Sequence, residues 1–154
     1  MRSIVFSIST LLWPRRRVHA HCDIPCGIYD PEQARIEAES CLRIIEKHDA
    51  SDDELFRARC ILVKEQRAEL VKHHLDVLWH DYFKPEHVAE YPDLHEILWK
   101  AAKQASRVKQ SLDAAAAREL LTMIDAIDEI WIATGGPQAT RVNGRPGARA
   151  RVAA

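Results

Sequence analysis

The feature that most limits the fold of this chain is a repeat of apolar residues at steps of three and four positions, the spacing of one helical face. The repeat occupies four segments, whose inward positions are Ala34, Ala38, Cys41, Leu42 and Ile45; Phe56, Cys60, Val63, Leu70 and Leu78; Leu94, Ile97, Leu98, Ala101, Ala105 and Val108; and Ala117, Leu120, Leu121, Ile124, Ile127 and Trp131. The second line also runs through Arg67 and His74, which interrupt its apolar character. Four amphipathic helices with short links predict an all-α fold, an antiparallel four-helix bundle.

Local sequence patterns predict where these helices begin and end. The predicted starts are Asp30-Pro31 with Gln33 completing a capping box, Ser51-Asp52-Asp53-Glu54 as a second capping box, Pro92-Asp93, and Asp113. The second helix should run to about Asp81 and be ended by Pro85, because proline removes a hydrogen-bond donor and disfavours helix before it. Gly135-Gly136-Pro137 should stop the fourth helix.

The sequence predicts one domain that lies between two terminal segments. Residues 1–20 combine an apolar run with a basic triplet and end in Ala20, which predicts a cleavable leader. Residues 21–134 form the predicted domain, and 135–154, rich in Gly, Pro, Arg and Ala, form a tail that we expect to be disordered. Because the basic triplet follows the apolar run, we expect a cytoplasmic protein, with export through the leader as the alternative. No stretch is apolar enough to cross a membrane.

The formal net charge of -1 conceals an uneven distribution of arginine. The two terminal segments carry eight of them: Arg2, Arg15, Arg16, Arg17, Arg141, Arg145, Arg149 and Arg151. The part between them is therefore acidic. Binding to the phosphate backbone depends on clustered Lys and Arg, so nucleic acid is not a predicted partner of the folded domain.

The run HCDIPC, from His21 to Cys26 and called the hook below, lies outside the predicted helices. If it curls, it brings an imidazole and two thiolates together, and Pro25 and Gly27 favour such a turn. Short cysteine pairs bind zinc, iron or copper, exchange disulfides, or form a disulfide with each other, so the spacing alone leaves these alternatives open. Zinc would need two further ligands, and none lies nearby in the sequence.

A cut between Ala20 and His21 would change the donor set of the hook. His21 would then offer a free amine as well as its imidazole. The amine, a backbone amide nitrogen and the thiolates of Cys22 and Cys26 can close a planar N2S2 square. Such tetragonal geometry suits Ni(II) or Cu(II) rather than zinc.

The hook and three later segments resemble the nickel-containing superoxide dismutases. HCDIPCGIYDP, QARIEAES, KEQRAEL followed by KHH, and LWHDYFKP occur in this order, and the similarity runs from His21 to about Trp131. The resemblance implies an enzyme that converts superoxide to dioxygen and hydrogen peroxide by cycling one nickel ion per subunit between Ni(II) and Ni(III). It also implies removal of residues 1–20 by a leader-processing peptidase and assembly into a homohexamer.

The resemblance also assigns the nickel ligands and the residues that would fix the hook. It makes the amine and imidazole of His21, the backbone nitrogen and sulfur of Cys22, and the sulfur of Cys26 the ligands. Asp23 and Pro25 match positions that fix the turn of the hook, where the family has a cis peptide before the proline.

Four further residues match the family's surroundings of the metal. Glu37 and Arg67 match a pair that orients the ring of His21. On sequence alone, a solvated glutamate and an arginine lying along the surface are the alternatives. Tyr29 and Tyr82 match tyrosines that line the approach to the metal, and simple aromatic packing is the alternative.

The remaining thiols and imidazoles carry no predicted catalytic role. Cys41 and Cys60 lie on apolar stripes and are expected to be buried. His73 and His74 are neighbours on a helix and point about 100° apart, so they should not face one ion. Two other functions stay open on sequence alone: a non-catalytic nickel-storage protein, and a thiol module in which Cys22 and Cys26 form a reversible disulfide.

Overall fold

The structure, a computed structural model, describes residues 29–136, and every regular element within them is helical. In chain order the elements are α1 (Glu32–Asp49), α2 (Glu54–Val77), a π-helical turn (Leu78–Tyr82), α3 (Pro85–Glu90), α4 (Leu94–Gln110) and α5 (Ala114–Ala133). The predicted all-α fold with four long helices is confirmed. The leader, the hook and the tail after Gly136 lie outside the described residues.

The four long helices form a bundle in the ring order α1, α2, α4, α5. Contacts between α1 and α2 show that they are antiparallel, since Cys41 lies beside Lys64 while the earlier residue Glu37 lies beside the later residue Arg67. The start of α1 and the π-helical turn therefore lie at one end of the bundle. The end of α5 lies there too, because the hydroxyl of Tyr82 contacts Trp131 and Thr134.

The core along α1, α4 and α5 follows the predicted stripes. Leu42, Ile97 and Leu121 are half-buried, and the other predicted inward residues of these three helices are buried. None of the α1, α4 and α5 stripe positions is exposed. The binary pattern of these helices therefore predicts their orientation correctly.

The core face of α2 differs from the predicted one. Its buried residues are Cys60, Lys64, Ala68, Val71 and Leu75. Phe56 and Val63, which were expected inside, are 39% and 38% exposed. The prediction of this face was wrong because it assumed that the charged residue Lys64 is exposed, whereas Lys64 lies in the middle of the buried face.

Lys64 is buried because its ammonium group has partners at the end of α4. Its Nζ donates hydrogen bonds to the carbonyl oxygens of Val108, Lys109 and Ser111 at 3.0, 2.6 and 2.7 Å. Carbonyls in the last turn of a helix lack partners within that helix and attract a positive charge. Burial lowers the pKa of Lys64 below its ordinary value of 10.5.

The start of α2 is capped by Asp53 rather than by Ser51. The Asp53 carboxylate accepts hydrogen bonds from the backbone N–H groups of Leu55 at 2.9 Å and Phe56 at 3.2 Å. The hydroxyl of Ser51 instead accepts the N–H of Asp53 at 3.2 Å. The second predicted capping box is therefore wrong, since a carboxylate two residues further on takes its place. Asp113 caps α5, as predicted.

The end of α2 is more elaborate than the sequence predicts. The helix continues as the π-helical turn to Tyr82, close to the predicted end at Asp81, but Pro85 then begins the unpredicted short helix α3. A proline is well accommodated in a first helical turn, because its missing N–H would have no partner there. Across residues 29–136, none of the helices combines the length and apolar character needed to span a bilayer.

The end of α5 packs tightly onto the core. Gly135 has a φ of 82°, the left-handed conformation common at helix ends. The N–H of Gly136 donates to the carbonyl oxygen of Trp131 at 2.8 Å, and a Cβ on Gly136 would overlap the buried Trp131 indole. The predicted stop at these glycines is confirmed.

Candidate functional site

The described part of the chain contains four of the predicted site residues. Tyr29 precedes α1, Glu37 lies on α1, Arg67 lies on α2, and Tyr82 ends the π-helical turn. The structure brings them together as two pairs, Glu37 with Arg67 and Tyr29 with Tyr82. The predicted ligands in the hook, His21, Cys22 and Cys26, and the turn residues Asp23 and Pro25 lie outside the described residues.

Glu37 and Arg67 form an ion pair across the groove between α1 and α2. Nη1 of Arg67 lies 3.2 Å from Oε2 and 3.4 Å from Oε1 of Glu37. The glutamate side chain is 14% exposed and the arginine side chain 37% exposed. The contact that the sequence comparison predicted is present, and it lies at the edge of the core rather than in open solvent.

The guanidinium of Arg67 has a second buried donor that this pair does not satisfy. Its Nε is buried and has no hydrogen-bond acceptor among residues 29–136. Leaving a buried donor unpaired costs about 1–3 kcal/mol. Native proteins satisfy most such groups with protein or ordered water, so the Nε of Arg67 has room for an acceptor from water or from another segment.

Cys41 lies one helical turn beyond Glu37 and is fully buried. Its thiol is 3.5 Å from the carbonyl oxygen of Lys64. Burial raises the pKa of Cys41 to about 12, an effect that the charge of Lys64 opposes and that of Glu37 reinforces. The thiol is therefore protonated at neutral pH and is a poor nucleophile and metal ligand. The prediction that Cys41 and Cys60 are buried is confirmed.

Tyr29 and Tyr82 pack against each other where the chain enters the bundle. Their ring centroids are 6.3 Å apart and the rings are inclined by 52°. Both side chains are half-buried. Directly after Tyr29, the carboxylate of Asp30 accepts the N–H of Glu32 at 2.9 Å, which fixes the start of α1. The start of α1 therefore lies beside this aromatic pair.

Three residues around Tyr82 were not predicted as part of the site. The ring of Tyr82 lies 6.2 Å from that of Trp131 and 5.6 Å from that of His87. Its hydroxyl is 2.9 Å from the Oγ1 of Thr134 and 3.3 Å from the carbonyl oxygen of Trp131. Sequence reasoning missed Trp131 and Thr134 because the end of α5 approaches Tyr82 only through tertiary packing, and it missed His87 because the short helix α3 was not predicted.

The paired histidines on α2 do not belong to a group of metal ligands within residues 29–136. The rings of His73 and His74 are 5.4 Å apart and inclined by 59°. No group of three or more His, Cys, Asp or Glu side chains within residues 29–136 is arranged to hold a metal ion.

The chain was also compared with known protein families and with individual relatives. A family model described as nickel-containing superoxide dismutase matches residues 16–135. A protein of Streptomyces seoulensis called superoxide dismutase [Ni] is 54% identical over 124 residues, which cover 80% of this chain and 95% of that protein. A protein of the same name from Streptomyces coelicolor is 50% identical over 124 residues, with the same coverage of both chains.

Solved structures show the same likeness in three dimensions. A native nickel superoxide dismutase superposes with a TM-score of 0.72 at 51% identity, covering 74% of this chain and 97% of that one. A nickel-containing superoxide dismutase whose nickel ligation corresponds to the oxidised state gives a TM-score of 0.72 at 55% identity, with the same coverage. This chain is therefore similar to these proteins in both sequence and backbone structure.

Proposed function

Since this chain belongs to the nickel-containing superoxide dismutase family, we propose that its nickel ion binds at the new amino terminus that cleavage before His21 creates. The chain is a nickel-dependent superoxide dismutase, which converts superoxide to dioxygen and hydrogen peroxide. The proposal concerns where the metal is held and which residues serve it.

The hook supplies a donor set that suits nickel. The proposed ligands are the amine and imidazole of His21, the backbone nitrogen and the sulfur of Cys22, and the sulfur of Cys26. Nitrogen and thiolate donors in a tetragonal arrangement favour Ni(II) over zinc. When bound there, nickel supplies one-electron chemistry between Ni(II) and Ni(III). Before cleavage His21 contributes only a peptide nitrogen, so the uncut chain should be inactive.

The observation that carries the proposal is the Glu37 and Arg67 pair with its unsatisfied buried donor. Residues 21–28 precede Tyr29, and Glu37 lies five residues past the start of α1 at Glu32, about 8 Å along that helix. Eight residues, 21–28, can extend to about 27 Å, so the hook can fold back to this pair. An acceptor from the hook would satisfy Arg67 Nε, and the Glu37 carboxylate can hold the His21 ring in orientation.

Tyr29 and Tyr82 have a different proposed role, to restrict what reaches the metal. Their rings pack against each other at the end of the bundle where α1 begins. Phenol hydroxyls in this position can hold water or a small anion while the rings exclude larger molecules. Asp23 and Pro25 are proposed to fix the turn of the hook itself.

The subunit is also proposed to assemble into a homohexamer. Leu55 and Leu62 lie seven residues apart on one face of α2 and are 79% and 59% exposed. Exposed apolar side chains that form a continuous patch mark contacts between proteins, and this face of α2 is the proposed location of such a patch. Sedimentation of the cleaved, nickel-loaded protein should give the mass of six chains, and a monomer under these conditions would exclude the assembly.

We place the maturation of the chain in the cytoplasm, where a leader-processing peptidase would remove residues 1–20. The basic triplet after the apolar run differs from the order in an ordinary export sequence. Cell fractionation followed by intact-mass measurement should find chains that begin at His21 in the cytoplasmic fraction. Cleaved chains found only outside the cell would contradict this placement.

The ligand assignment is tested with serine variants of all four cysteines. In a chain that begins at His21, Cys22→Ser or Cys26→Ser should abolish superoxide consumption and the Ni(III) paramagnetic spectrum. Cys41→Ser and Cys60→Ser are matched controls that should keep both, because these thiols are buried in the bundle. Full activity in Cys26→Ser would refute the assignment. Nickel uptake by the parent without superoxide consumption would indicate storage, and a reversible disulfide with no metal requirement would indicate a thiol module.

A further inference from the structure

We propose that Thr134 is a positioning residue that sets the direction of the Tyr82 hydroxyl, so that Tyr82 presents an acceptor oxygen to the approach to the metal. This inference rests on the proposed role of Tyr82 and names a residue beyond the predicted site. Thr134 follows the last residue of α5, at the end of the bundle where the hook joins.

The argument begins with the hydrogen bonds of Thr134. Its Oγ1 lies 2.9 Å from the carbonyl oxygen of Ile130 and 3.2 Å from that of Trp131. A threonine hydroxyl has a single proton, and both carbonyls can only accept it. The proton of Thr134 is therefore directed to the end of α5, and its oxygen remains free to accept.

The Tyr82 hydroxyl must then be the donor in its contact with Thr134. The two oxygens are 2.9 Å apart, and the alternative acceptor, the carbonyl oxygen of Trp131, is further away at 3.3 Å. Either acceptor takes the phenol proton toward α5. On its other side the phenol oxygen presents lone pairs, which accept a hydrogen bond from a water and repel an anion. Tyr82 is thus set to hold a water molecule rather than superoxide itself.

The surroundings keep this arrangement in place. Trp131 is fully buried, and its carbonyl also accepts the N–H of Gly136 at 2.8 Å. The Tyr82 ring is packed against the rings of Trp131 and His87. Loss of the threonine oxygen therefore leaves the phenol proton only the longer contact with the carbonyl oxygen of Trp131, at 3.3 Å.

A double-mutant cycle tests the inference in the cleaved, nickel-loaded protein. Thr134→Val keeps the shape of the side chain and removes its oxygen, and we expect kcat/KM to fall about twofold to tenfold, the range for one neutral hydrogen bond. Thr134→Ser restores the oxygen and should recover most of the parent value. In a Tyr82→Phe background, Thr134→Val should have no further effect. An equal loss in both backgrounds would show a merely structural role and overturn the proposal.

A spectroscopic measurement on the metal-free protein separates this inference from the proposed function. The chain has three tyrosines, so Tyr29→Phe with Tyr91→Phe leaves Tyr82 alone. The ultraviolet resonance Raman doublet of tyrosine reports whether its hydroxyl donates a hydrogen bond. It should show a strong donor in this background and in Thr134→Ser, and a weaker one in Thr134→Val, where only the 3.3 Å contact with the Trp131 carbonyl oxygen remains. An unchanged doublet would refute the contact. If the doublet changes but the cleaved, nickel-loaded parent shows no dismutase activity, only the proposed role of Tyr82 is refuted.

Discussion

Replacing Lys64 with methionine tests whether the buried ammonium holds α2 to the end of α4. Methionine keeps most of the length and burial of the side chain but removes three hydrogen bonds of 2.6 to 3.0 Å. A hydrogen bond involving a charged group is worth about 1.5–3 kcal/mol. The cost of burying the charge, which the lowered pKa of Lys64 reflects, offsets much of their sum. We expect a net loss of about 2 kcal/mol in the free energy of unfolding.

The assay is urea unfolding of the metal-free chain followed by circular dichroism, at one fixed protein concentration because assembly would also stabilise the fold. Lys100→Met is the matched control, since Lys100 is an exposed lysine of α4 that pairs with Glu96 at 2.8 Å. Its urea midpoint should not change. If Lys64→Met unfolds at the same urea concentration as the parent, the three carbonyl contacts do not stabilise the protein and the reasoning is wrong.

The same variant also tests how the stability contributed by Lys64 should change with pH. Because the pKa of Lys64 is lowered in the folded state, the folded chain binds fewer protons than the unfolded chain between that pKa and the ordinary value of 10.5. Stability from this group therefore rises with pH across this interval. The difference in unfolding free energy between parent and Lys64→Met should grow as pH increases toward 10.5. A difference that shrinks over this range would contradict the lowered pKa.

Three further predictions follow from the described contacts. Arg67→Met should lower dismutase activity and leave nickel bound, as steady-state kinetics with metal analysis would show. It should cost at most about 1 kcal/mol of stability, because the side chain is 37% exposed. Unchanged activity would exclude a role for the ion pair. Trp131→Ala should destabilise the fold by about 3–5 kcal/mol, since Trp131 is fully buried, while Trp99→Ala, at a residue that is 54% exposed, should change the urea midpoint little. Burial raises the pKa of Cys41 to about 12, so this thiol should resist iodoacetamide at pH near 8 until the protein unfolds. Peptide mapping by mass spectrometry checks this, and rapid labelling of the native protein would contradict it.

The helical pattern predicts most of this fold because, on three of the four long helices, every residue of the predicted apolar stripe is buried or half-buried. On α2 the same reasoning fails at Lys64, where a charged residue is buried against the carbonyls of a helix distant in sequence. A rule that excludes charges from the core cannot foresee such a partner. The short helix α3 was missed for a related reason, since Pro85 can both end one helix and begin another.

The candidate site, like the fold, could be predicted from the sequence only in part. The pairing of Glu37 with Arg67 was proposed from the resemblance of short segments to a known family, and the contact is present in the structure. Thr134 could not be found from sequence, because its link to Tyr82 joins residues that are 52 positions apart. Spacing along the chain identifies side chains on one helix or in one loop, whereas contacts between helices depend on how the whole bundle packs.

The central claim is that the amine exposed by cleavage before His21 is a nickel ligand. Two purified chains test it most directly, one beginning at His21 and the other at Ala20, because they differ by one residue and in the second the nitrogen of His21 is a peptide nitrogen. After nickel loading and an intact-mass check, superoxide consumption is measured by pulse radiolysis. The account predicts activity in the chain that begins at His21 and none in the longer chain. Equal activity in both would contradict it.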